Sequence, residues 1–359
     1  MDVMGNFYQE ELQMYVESLY MKENATNMGE VEGCILAQTF DAEIIAKSLK
    51  KMGSGKAPGT LHICLEMLKW AGPTAQKWLH DLLNQAVAHG IPCDWQENWI
   101  KALYKGGDRN QPSNYRTIMI GACMNKLLGS MVEQEMSKWA ENNNKRAIGQ
   151  AGFRPKHSTI DHLITLRVIT KKCRLKGQIM YCCFVDFQKA FDTIPRANLW
   201  ARMERLRVPT YLRRAVAHMY REVRCKIKTQ EGYSREFMSN MGVKQGCPLS
   251  PTLFGLCIDQ LEEVITQCMK EEKMMNAVSD FCKTSGLAVN VTKTKVMVIK
   301  THHTGNQPII MYNGRELEVM DRSRLGCQVL AKPELDGVRL AIPSATRNFA
   351  VDGYVPKPH

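Results

Sequence analysis

Residues 179–194 read IMYCCFVDFQKAFDTI. The first seven are β-branched, aromatic or sulfur-bearing and fit a buried strand, and helical spacing of apolar positions begins at Phe187. Asp186 therefore falls where a strand ends. A carboxylate fixed at a strand end is a sound ligand for Mg²⁺, which takes oxygen donors in octahedral geometry. The same residue type also caps helices at strand-to-helix turns, and taken alone that role is the commoner one.

Working outward, residues 225–237 alternate as a hairpin with Glu231-Gly232 at its turn, and residues 196–221 read as basic amphipathic helices. Residues 40–52 and 74–91 show helical spacing, with breakers at 53–58 and 90–92. Gly53-Ser54-Gly55-Lys56 is not a phosphate loop, because that motif needs a further glycine spacing and a Ser or Thr after the lysine, where Ala57 stands. Beyond Ser323 the periodicity fades among four prolines, which predicts a loose tail.

The chain has 359 residues and 44% hydrophobic content, enough for one large folded unit or two subdomains and too apolar for general disorder. Its net charge of +12 is uneven. The first 33 residues are acidic, whereas residues 145–176 hold nine Lys or Arg against Asp161, and residues 196–228 hold ten against Glu204 and Glu222. Such stretches are capable of forming a positive surface, although cations on helices are more often solvated faces. The thirteen cysteines show no C-x-x-C pair or zinc-ligand spacing; Cys182-Cys183 lie in the apolar run, and all read as reduced thiols of an intracellular protein, in nucleus or cytoplasm. The N-terminus is polar and acidic, and no apolar run nears the ~20 residues that span a bilayer, so neither a signal peptide nor a membrane partner is expected.

An ordered series of motifs surrounds Asp186: NWIKALYKGGDRNQPSNYRTI at 98–118, QAGFRPKHSTIDHL at 150–163, FVDFQKAFDTI at 184–194, GVKQGCPLSPTLF at 242–254, SDFCKTSGLAVNVTKTKVMVI at 279–299 and IIMYNGRELEVMDRSRLG at 309–326. In this order they resemble the reverse transcriptases of non-LTR (LINE-type) retrotransposons, from about residue 49 to 326. The resemblance implies an α+β right-hand polymerase fold, with helical fingers and a ferredoxin-like palm. It divides the chain into an N-terminal helical extension (1–48), fingers (49–178), palm (179–300), the start of the thumb-proximal strands (301–326) and the tail (327–359).

The resemblance also implies roles. Asp186 is the catalytic aspartate and binds two Mg²⁺ ions with the Val185 carbonyl. Lys105 and Arg116 face the incoming deoxynucleoside triphosphate, a basic pair suited to an anion. Phe191 excludes a ribose 2′-OH, Gln245 and Gly246 lie against the new base pair, and Lys293 assists pyrophosphate departure. Gln150, Phe153 and Arg154 contact the nucleic acid, the partners being an RNA template and a DNA primer; without the family, that motif is only a polar loop before a helix. Asp192 is read as structural.

The family carries an Ala-Asp-Asp hairpin between the 242–254 and 279–299 motifs, and residues 255–278 contain none. The acids there are Asp259, Glu262, Glu263, Glu271 and Glu272, and residues 253–265 read as one helix with solvated carboxylates. Two-metal phosphoryl transfer needs carboxylates from separate strands to hold ions ~3.5–4 Å apart. The palm sheet is therefore expected to be incomplete, with an unpaired strand edge, exposed apolar faces and no polymerase activity. Two departures agree with decay: GKAPG is followed by Leu61-His62 where the family has Asp-Gly, and Ser323-Arg324-Leu325-Gly326 replaces Phe-Lys-Tyr-Leu-Gly. No endonuclease-like domain or zinc knuckle accompanies the motifs. The alternatives are a nucleic-acid-binding remnant without activity, and an unstable product of a degenerate or mis-spliced gene.

Overall fold

The structure is a computed structural model that describes residues 40–56, 58–229, 231–267, 271–299 and 309–320. Most of the expected N-terminal extension and the whole expected tail lie outside the described residues. In chain order the elements are α1 (Ala42–Lys51), α2 (Leu65–Lys69), α3 (Pro73–His89), β1 (Glu97–Tyr104), β2 (Tyr115–Gly121), α4 (Cys123–Asn142), α5 (Thr159–Leu175), β3 (Met180–Phe184), α6 (Ala190–Thr193), α7 (Arg196–Arg205), α8 (Thr210–Tyr220), β4 (Arg224–Ile227), β5 (Phe237–Met238), α9 (Ser250–Ile258), α10 (Gln260–Thr266), α11 (Glu271–Ser285), β6 (Lys295–Ile299), β7 (Met311–Tyr312), β8 (Arg315–Glu316) and β9 (Glu318–Met320). The class is mixed α+β.

Two compact units divide the chain. The first takes residues up to Arg146 and Phe191–Cys257; the second takes Ala147–Ala190 and most of the residues from Ile258 onward. In the first, the sheet order is β2-β1-β4-β5. β1 and β2 pair antiparallel from Asn98↔Gly121 to Tyr104↔Tyr115, β4 runs parallel to β1, and β5 closes the expected hairpin at Cys225↔Phe237. The core helix is α4, which packs against α1 and α8 and buries Leu127, Leu128, Met131, Val132 and Met136 completely. Each such side chain contributes about 1.5–3 kcal/mol through loss of apolar contact with water.

The expected positive face over residues 196–228 is partly interior. Arg196 and Arg202 are each 5% exposed. Arg196 donates to the Gly242 and Met241 carbonyls and to Ser239 Oγ, and Arg202 Nε donates to the Leu256 carbonyl. Both serve as many-toothed hydrogen-bond donors to loop carbonyls, which helical spacing alone does not reveal. Arg205, Arg207, Arg221 and Lys228 remain exposed.

In the second unit, β3 pairs antiparallel with β6 and β6 runs parallel to β9. β3 therefore sits at a sheet edge, and among the described residues no strand pairs with its other side. The reading of residues 179–185 as a buried strand holds for one face only. Cys182 packs with Met297, Ile299 and Leu166, while Cys183 is exposed on the opposite face, because successive side chains point to opposite faces, and Phe184 is exposed at the end of the strand. The helix α5 buries none of its seventeen residues, leaving Ile160, Leu163, Ile164, Val168, Ile169 and Leu175 exposed.

Residues 253–265 are not one helix. The chain breaks at Asp259 between α9 and α10, and Asp259 is 3% exposed, so its carboxylate is not solvated. Aspartate is a poor interior helix residue, which favours the break at this position.

Candidate active site

Asp186 follows β3 and is held through its backbone. Its amide donates to Thr294 Oγ1 at 3.2 Å, its carbonyl accepts from the Asn290 amide at 2.7 Å, and the next residues bridge Phe187 to Val289. The turn from Asn290 to Thr294 is itself closed by the Thr294 amide on the Asn290 carbonyl at 2.8 Å. Lys293 lies exposed on that turn, so Asp186, Val185 and Lys293 belong to one local assembly in the second unit. Thr294 and Asn290 build it. Sequence reasoning does not name them, although an Asn that opens a tight turn is a recognisable signal.

Gln150, Phe153 and Arg154 also lie in the second unit. Arg154 donates to the Ala147 and Gln150 carbonyls at 2.7 and 2.9 Å, and Gln150 Oε1 accepts from the Gly152 amide at 2.9 Å. These two residues shape their own loop. Phe153, at φ 58° and 53% exposed, is the side chain the loop presents. Asp161 accepts from the Ser158 amide at 2.8 Å at the start of α5, and Glu262 accepts from the Gly149 amide at 2.7 Å.

The remaining site residues lie in the first unit. Lys105 and Arg116 are exposed near the loop end of the β1–β2 hairpin, where the Lys105 amide closes on the Asn114 carbonyl at 2.8 Å. Phe191 stacks on Phe254 with ring centroids 4.9 Å apart. The Val243 amide donates to the Phe191 carbonyl at 2.7 Å, and the Met119 amide donates to the Gln245 carbonyl at 2.9 Å, so the 242–254 segment is fastened to both β2 and the residue-191 turn. At Gly246, φ is 117° and a Cβ would stand 2.8 Å from the Met119 carbonyl oxygen; any side chain there would separate the segment from β2. Asp192 is buried, in keeping with a structural role.

Lys244 is the residue of this segment that sequence reasoning overlooked. It is buried, its Nζ donates to the Met219 carbonyl at 2.8 Å and lies 5.3 Å from the Tyr220 ring centre, and burial pushes its ammonium down to about 8. Burial likewise raises the neighbouring Cys247 thiol.

Among the described residues, no three His, Cys, Asp or Glu side chains gather as metal ligands.

Residues 103–275 match the family model for reverse transcriptase (RNA-dependent DNA polymerase). Over 48% of the chain the sequence is 25% identical to the retrovirus-related Pol polyprotein from type-1 retrotransposable element R2 of Popillia japonica, covering 24% of that protein. Over 60% of the chain it is 25% identical to the probable RNA-directed DNA polymerase from transposon BS of Drosophila melanogaster, covering 24% of it. A 37-residue segment, 10% of the chain, is 95% identical to the mitochondrial adrenodoxin-like protein 2 of Arabidopsis thaliana and covers 19% of that protein. The chain carries a reverse transcriptase domain of the non-LTR retrotransposon type. It spans about a quarter of the length of these Pol relatives and about a fifth of the adrenodoxin-like one. No described helix is long and apolar enough to cross a membrane.

Proposed function

We propose that this chain is the fingers-and-palm portion of a right-hand RNA-directed DNA polymerase, and that it does not polymerise as it stands. The observation that carries the reading is the connection between residues 242–254 and 279–299. Its described residues form α9, α10 and α11, with no strand among them, so the acids Asp259, Glu262 and Glu263 lie on or between helices rather than in a hairpin. Asp186 then lacks a second strand-borne carboxylate, and Mg²⁺ has no bridging partner through which to neutralise the attacking and leaving oxygens. A loss of even ~5 kcal/mol of transition-state stabilisation lowers the rate by roughly three to four orders of magnitude.

In this reading Lys105 and Arg116 supply positive charge for triphosphate, Phe191, Gln245 and Gly246 frame the nucleotide, Lys293 stands near the leaving pyrophosphate, and Phe153 offers a stacking face to template. The test is primer extension on an RNA template with deoxynucleoside triphosphates and Mg²⁺. The purified chain should extend no more primer than its Asp186→Asn variant, and extension above that level overturns the assignment of inactivity.

The adrenodoxin-like segment favours a further reading of origin. One short piece at 95% identity beside a Pol-like region at 25% identity supports a composite chain, joined from two coding sources with different histories. Sequencing the native transcript across the codons for residues 255–276 tests the inactive reading: an insert encoding an Ala-Asp-Asp hairpin would restore an ordinary polymerase, and an uninterrupted junction sustains that reading.

A further inference from the structure

The helices α1, α2 and α3 enclose an open groove of about 630 Å³ in the first unit. Its floor is apolar, with Ile45, Leu49 and Leu79 buried at its base, and its rim carries Lys50, Lys77 and Trp70. Trp70 is 79% exposed, an unusual placement for the largest apolar side chain. Among the described residues lining the groove none is acidic, so it combines apolar surface with uncompensated positive charge.

The chain enters the first unit beside this groove. Phe40 is buried; its amide donates to Asn84 Oδ1 at 2.7 Å and its carbonyl contacts Asn84 Nδ2 and His80 Nε2 at 3.1 and 3.0 Å. His80 also lines the groove, so the described chain begins at its wall, with Phe40. Those residues hold seven acids against the single Lys22, and Tyr8, Leu12, Val16 and Tyr20 recur at four-residue intervals, the spacing that places side chains on one helix face. Glu10, Glu11 and Glu17 fall between them.

We propose that residues 1–39 of this chain occupy the groove, with the Tyr8, Leu12, Val16 and Tyr20 side against Ile45, Leu49 and Leu79 and the glutamates facing Lys50 and Lys77. An apolar face laid into a hydrophobic groove is a standard recognition mode, and tethering at Phe40 makes the encounter intramolecular, at high effective concentration. A second copy's groove would bring lysines against lysines. Nucleic acid would satisfy the lysines and leave the apolar floor uncovered.

Hydroxyl-radical footprinting of the full chain, read at Trp70, tests this. In the wild-type chain Trp70 should oxidise several-fold more slowly than in the Lys50→Glu/Lys77→Glu variant. Both lysines are exposed, so the exchange leaves the core untouched. Adding Glu10→Lys/Glu17→Lys to that variant should restore protection, and Leu12→Ser/Val16→Ser in an otherwise wild-type chain should remove it. The proposal is overturned if Trp70 oxidises equally fast in wild type and charge-reversed chain, if the compensating exchange fails to restore protection, or if protection grows with protein concentration, which would assign the groove to a second copy.

Discussion

The amide of Asp186 donates to the hydroxyl of Thr294, 108 positions later in the chain, and Thr294 is completely buried. The end of one strand and the turn before another hold each other, and this bond fixes the backbone from which the Asp186 carboxylate projects. Replacing Thr294 with Val keeps the shape and removes the acceptor, which leaves a partly buried amide unpaired at a cost of about 1–3 kcal/mol. Urea denaturation should show a lower midpoint for Thr294→Val and a near wild-type one for Thr294→Ser; equal midpoints for all three would show that the bond contributes nothing.

Arg196 is the central fastener of the first unit. Its guanidinium donates to two carbonyls and one hydroxyl and lies 5.0 Å from the Tyr220 ring centre. Arg196→Met preserves much of the stem's packing but strands those acceptors, and a loss of about 3 kcal/mol is expected. Thermal unfolding by circular dichroism checks it, and a melting temperature unchanged within error would count against the role.

Lys244 makes stability depend on pH. Burial holds its folded value near 8 against 10.5 when the chain unfolds. Between those values the unfolded chain binds more protons, so stability rises with pH, by at most about 1.4 kcal/mol per unit; the contribution is complete above pH 10.5 and is lost as pH falls through 8. The buried Cys225 thiol, pushed from 9.0 up to about 12, acts oppositely and loses its contribution as pH climbs from 9 toward 12. The rise should thus be visible from pH 7.5 to 9. Urea midpoints of the wild-type chain should increase across that range and those of Lys244→Met should not; a flat wild-type profile contradicts the assignment.

Amide hydrogen exchange should separate the elements. The amides of α4, which is largely buried, and of β1, which is paired with strands on both sides, are expected to exchange at least a hundred-fold more slowly than those of α5, which buries no residue. Comparable protection in α5 would mean that something covers it in solution.

Much of the local structure was legible in the residues. Gly90 and Pro92 bound α3, the Glu231-Gly232 turn is set between β4 and β5, and the acidic strand end at Asp186 stands where the apolar run stops. The core helix α4 escaped because it is buried around most of its girth, with Gly129, Ser130 and Ser137 interrupting any single apolar stripe. The buried Arg196, Arg202 and Lys244 escaped for another reason: their partners are main-chain carbonyls far away in sequence, and no residue pattern encodes those. The motif residues were legible individually, whereas the jobs of Arg154 and Gln150 in folding their own loop emerge only from the hydrogen bonds.

The uncovered helix α5 also bears on how long such a chain would survive in a cell. Six aliphatic side chains held in the open, beside a sheet edge that no strand among the described residues covers, are the kind of surface that folding assistants retain and that quality-control proteases act on. Its steady-state abundance would then be set by turnover rather than by synthesis, and a protein made from this reading frame would be scarce even where its transcript is plentiful.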